Sequence, residues 1–142
     1  MEDSLILRKL EDNTLKRDKE LARLRELIDG LFSKRVSYDV VKEYALKVSR
    51  TRGSLRKSME SCETSEVREE FVEPLQTLIM FALMVSINDE EDILTDLRNY
   101  LDSEGMYEEV RFVDGELMKL KELSALASRV LRNLPTSPSM QA

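Results

Sequence analysis

Histidine and tryptophan are absent from this 142-residue chain, and cysteine occurs once, as Cys62. Without histidine there is no imidazole metal ligand, no Ser–His pair and no imidazole general base. One thiol cannot close a disulfide within the chain or build a cysteine-based zinc site. Such sparse cysteine fits a reducing compartment, and the expected location is cytoplasmic. Glycine (4) and proline (3) are scarce, so few turns are available and the elements should be long. No glycine-rich phosphate loop occurs, because Arg52-Gly53-Ser54 is too short for one. Amides are also few beside 28 acids and 22 bases, which is the compositional trend of hyperthermophile proteins.

Long hydrophobic runs are missing too. The most apolar stretch, residues 75–87, is interrupted by Gln76, Thr77 and Ser86. It is too short to span a bilayer and predicts a buried helix, with no membrane partner. The acidic start, Met1-Glu2-Asp3, does not have the form of a signal peptide.

What is present is helix-forming sequence with polarised charge. Hydrophobic residues make up 42% of the chain and charged ones 35%, which suits a folded domain of this length. Leu7, Leu10, Thr14, Arg17, Leu21, Leu24, Ile28 and Leu31 follow alternating steps of three and four, a heptad seam interrupted by Thr14 and Arg17. This predicts a long first helix over residues 4–33. A second apolar stripe runs through Val41, Tyr44, Ala45, Val48, Leu55, Met59 and Cys62, with Gly53 expected to break it. Residues 75–87 are apolar nearly all round and predict the central helix. Asn88 with Glu91 forms a capping box that predicts a further helix ending at Gly105. Residues 106–121 can be read as a hairpin around Asp114-Gly115 or as the start of a last helix, and the helical spacing that follows favours helix.

The expected fold is therefore all-α. It is a compact bundle of about five helices over residues 1–134, with a short flexible tail over residues 135–142.

Charge divides the chain. Residues 1–62 carry 15 Lys and Arg against 11 Asp and Glu, a net of +4, whereas residues 63–142 carry 7 against 17, a net of −10. Five cations, Lys47, Arg50, Arg52, Arg56 and Lys57, fall in one acid-free segment interleaved with hydroxyls. That segment is a candidate surface for an anionic partner, either a protein or a nucleic acid. Leu21, Leu24 and Ile28 on the heptad seam are candidates for contact with a protein partner or a second copy of the chain.

The acids suggest one enzymatic possibility. Glu70-x-x-Glu73, followed after 15 residues by Asp89-x-x-Asp92, resembles the metal-binding pattern of the all-α nucleotide pyrophosphohydrolases. The resemblance covers residues 66–101 and implies that Glu70, Glu73, Asp89 and Asp92 face one another from two helices and hold Mg²⁺. The simpler reading of these acids is a solvated surface, with no metal and no cofactor. With no other catalytic constellation, the leading expectation is a non-catalytic assembly, adaptor or regulatory subunit working through protein contacts. A nucleic-acid-associated protein using residues 47–57 is the first alternative, and the Mg²⁺-dependent pyrophosphohydrolase the second.

Overall fold

A computed structural model describes residues 2–135, so the expected tail over 135–142 lies outside the described residues except for Pro135. Four helical rods account for nearly all of them: α1 (Glu2–Phe32), α2 (Tyr38–Thr64), α3 (Glu69–Ser103) and α4 (Tyr107–Asn133). The described residues contain no strand, and 106–121 lies in helix rather than in a hairpin.

Four rods replace the five expected because the break expected at Asn88 is absent, and the one expected at Gly53 is absent too. Gly53 sits within α2, where its exposed position needs no side chain to pack and the flanking Val48 and Leu55 hold the helix on the core. Asn88 caps nothing, since the chain passes from the apolar stretch into the acidic one through a five-residue π-helical turn, Ala82–Ser86. The Asn88 side chain instead donates to the Met84 carbonyl. Pro74 is accommodated inside α3 without ending it. Two of the four helices, α1 and α3, end where the backbone turns left-handed, while α2 and α4 end at the extended residues Ser65 and Leu134. Gly105, at φ +74°, closes α3 as its spacing predicts. Lys34, at φ +66°, closes α1, and the Gly30 carbonyl accepts from the Arg35 and Val36 amides.

The rods form two antiparallel hairpins, α1–α2 and α3–α4. Cross-links at Asp3–Arg68, Arg17–Glu90 and Arg25–Asp96 show α1 running parallel to α3. Tyr38–Glu109, Arg52–Glu116 and Arg129–Glu63 do the same for α2 and α4. Around the bundle the order is α1, α2, α4, α3, which leaves α2 and α3 on one diagonal. One core runs its length, built from residues such as Leu10, Leu24, Ile28, Leu55, Met59, Leu75, Ile79, Leu94, Leu97 and Leu101.

Residues 75–87 are not buried all round. Leu75, Ile79, Ala82 and Ile87 face the core, while Met80, Phe81, Met84 and Val85 face outward. By length and composition alone Glu69–Ser103 could cross a membrane, yet only 33% of its most apolar 18-residue window is buried in the bundle. Its inward side carries Glu90 and is covered by the other helices.

Candidate functional site

The middle of the bundle is polar. Glu90 of α3 is fully buried and accepts hydrogen bonds from two guanidiniums. Arg17 Nη1 of α1 donates to its Oε1 at 2.8 Å, and Arg52 of α2 donates to its Oε2 through Nε at 3.0 Å and Nη2 at 2.7 Å. Arg17 Nη2 also donates to the Ser86 carbonyl in the π-turn, and Arg52 Nη2 reaches Glu116 of α4 at 3.4 Å. Beside them Thr51 donates to Glu20, and Asn13 Nδ2 donates to the Thr51 carbonyl. One ionic layer thus joins all four helices across the diagonal.

Glu116 shows how this layer settles its charge. Burial alone would raise its carboxyl, but the hydrogen bond from Ser49 and the charges of Arg52 and Lys119 hold it below the usual range. Because the guanidiniums and carboxylates neutralise one another, the layer works as a structural clamp. The group is buried and its charges are paired, although Arg17 Nε and Glu20 Oε1 lack hydrogen-bond partners, and the described residues include no His, Cys, Asp and Glu group arranged to hold a metal.

The layer redraws the basic segment. Arg52 is 4% exposed and its charge points inward, so it belongs to no surface patch. Arg56 is exposed but pairs with Glu60 and Glu122. Lys47, Arg50 and Lys57 stay exposed, and none of them makes an ion pair within the described residues. The seam residues Leu21, Leu24 and Ile28 are 5%, 0% and 0% exposed and pack into the bundle core, Leu21 also lining a groove between α1 and α3.

The acidic pairs do not converge either. Glu70 and Glu73 precede the apolar stretch, and Asp89 and Asp92 follow it on the same rod. The 19 residue steps from Glu70 to Asp89 amount to about 28 Å along a helix axis. The two-helix Mg²⁺ cradle implied by the resemblance to the pyrophosphohydrolases does not form. What the spacing missed is that residues 75–87 do not return the chain.

The surface does contain one unusual feature. Met80, Phe81, Met84 and Val85 on α3 are 43%, 41%, 64% and 40% exposed, and Leu15 on α1 is 67% exposed. Phe81 and Val85 border a groove of about 290 Å³ between α1 and α3, whose other walls include Asp18, Ala22, Arg25, Asp89 and Asp92. An apolar strip is thereby rimmed by acid. The helix that carries it holds nine Asp and Glu against one cation, Arg98.

The chain matches no family model, no curated protein and no solved structure.

Proposed function

We propose that the protein is a non-catalytic helical adaptor whose docking face is the groove between α1 and α3. Its occupant is an amphipathic helix of a partner protein, with apolar anchors on one side and Lys or Arg beside them. The observation that carries this reading is the outward strip Met80, Phe81, Met84 and Val85 next to Asp18, Asp89 and Asp92. Contiguous exposed apolar surface rimmed by polar groups is characteristic of interaction sites. Flexible methionines adapt to the shape of an incoming helix, and a groove between two helices accepts anchors at i, i+3/i+4 and i+7. The acid rim selects a basic partner and speeds its approach.

A fluorescein-labelled 20-residue peptide with leucines at helical spacing and flanking lysines tests the reading, beside a control in which glutamates replace the lysines. The lysine peptide is expected to bind, the glutamate peptide to bind at least tenfold more weakly, and Met84→Ser with Phe81→Ser to remove binding without lowering the melting temperature. Equal affinity for both peptides, or undiminished binding by the double variant, would overturn it. So would a stable dimer in light scattering that the double variant dissolves, since a second copy would then occupy the face.

A further inference from the structure

We infer that the opposite face of the α1–α2 hairpin binds the phosphate backbone of a nucleic-acid strand. Cations elsewhere in the bundle are mostly paired, among them Arg17, Arg25, Arg52, Arg68, Arg98 and Arg129. Lys9, Lys16, Lys47, Arg50 and Lys57, by contrast, form no ion pair among the described residues. All five line two grooves between α1 and α2. One, of about 440 Å³, carries Lys9, Lys16 and Lys57, and the other, of about 320 Å³, carries Lys47 and Arg50 together with Arg23. The sequence scatters these charges over 49 positions, and the antiparallel pairing of the two helices gathers them.

From Lys9 to Arg23 the track extends about 21 Å along α1. That accommodates about six nucleotides at a rise of ~3.4 Å each. The hydroxyls of Ser54 and Ser61, which also line the first groove, donate to the Arg50 and Lys57 carbonyls, so the phosphate contacts fall to the cations. The floor of the first groove includes a buried amide. Asn13 is 92% buried on its 8% exposure, its amide nitrogen is engaged by Thr51, and its Oδ1 has no partner. That oxygen lies beneath the groove surface, so the contacts to a bound strand come from the cations above it. Tyr44 lies in the second groove, with Lys47 Nζ 5.4 Å from its ring centre, and provides an aromatic face near the track. Three acids also line the grooves, Glu2 and Asp12 in the first and Glu43 in the second, so the cations outnumber the acids two to one. The acidic α3 lies on the other side of α1, and the molecule would approach a polyanion with its α1–α2 side leading.

The test is fluorescence anisotropy of a labelled single-stranded 20-nucleotide oligomer of mixed sequence, in RNA and DNA forms, from 50 to 300 mM salt. Five phosphate contacts predict a slope of about −3.5 in log affinity against log salt. Lys9→Gln with Lys16→Gln and Lys57→Gln is expected to weaken binding at least tenfold and to flatten that slope by about 2. Lys57→Gln alone should flatten it by about 0.7. Arg111→Gln with Lys121→Gln and Arg132→Gln removes the same charge from α4 and should change affinity less than threefold. Absence of binding at 50 mM salt, or equal losses in the two triple variants, would overturn the inference. Displacement of the oligomer by equimolar adenosine monophosphate would overturn it in favour of a small phosphorylated ligand, and displacement by equal charge of polyglutamate in favour of an acidic protein.

Discussion

At the scale of single residues, Glu90 is the position on which the bundle depends most. Two guanidiniums donate to it from different helices and no water reaches it. Glu90→Ala would leave Arg17 and Arg52 as uncompensated buried cations, and urea unfolding should show a loss of about 3–5 kcal/mol. Asp96→Ala removes the partner of the exposed Arg25 and should cost less than about 1 kcal/mol. The carboxylates also set the response to acid. Glu63 and Glu109 are held below their ordinary values, chiefly by hydrogen bonds from Arg129 and Tyr38, and Glu116 is lowered as well. A group depressed in the folded state contributes stability in full above its unfolded value, about 4.3 for glutamate, and loses it as pH falls through the folded value. The melting temperature should therefore be flat from pH 7 to about 5 and fall progressively below about 4.3. A rise on acidification would contradict this. Cys62 behaves oppositely, because burial pushes its thiol up to about 11. Ellman's reagent at pH 8 should react with it only on unfolding. The burial of these ionic residues was partly legible. Arg17 interrupts the first seam, Arg52 occupies the slot between Val48 and Leu55, and Glu90 lies between Ile87 and Ile93. Each is a charge on an apolar face, and what sequence spacing could not supply was that the three meet.

Among the elements, helix content and the apolar faces could be read from periodicity, while the breaks could not. Periodicity reports which side of a helix is apolar, but Gly53 and Asn88 lower local propensity by only about 1 kcal/mol or less, and packing of the flanking residues outweighs that. The π-turn left no mark in composition. Its consequence was to join two expected helices, and with that the acidic pairs came to lie at the start and in the middle of one rod. The glycines separate these effects experimentally. At Gly53 and Gly115 an added methyl would meet nothing within 4 Å, so Gly53→Ala and Gly115→Ala should each raise stability by about 0.5–1 kcal/mol. At Gly30 the methyl would fall 2.5 Å from Val36 Cγ2, so Gly30→Ala should destabilise in the same melting experiment despite its better helix propensity. Lys34→Gly relieves a left-handed lysine and should stabilise, again by about 1 kcal/mol.

For the molecule as a whole, the charge asymmetry in the sequence became a division between faces. Five cations without ion pairs among the described residues line the grooves between α1 and α2, and nine acids lie on α3 beside its exposed apolar strip. The asymmetry itself was visible in the chain, but the placement of Arg52 inside and of Lys9 and Lys16 beside Lys57 required the pairing of helices. An adaptor with these two faces would join a basic amphipathic helix on one side to a polyanion on the other. Methyl NMR of the methionines, during titration with the lysine-flanked amphipathic peptide, tests the docking face most directly. Met80 and Met84 are exposed on α3 next to the groove-lining Phe81 and Val85, Met118 is exposed on α4, and Met59 is buried in the core. The account predicts shifts at Met80 and Met84 that saturate together, with Met118 and Met59 unmoved. Shifts confined to Met118, or no shift at Met80 and Met84 at saturating peptide, would contradict it.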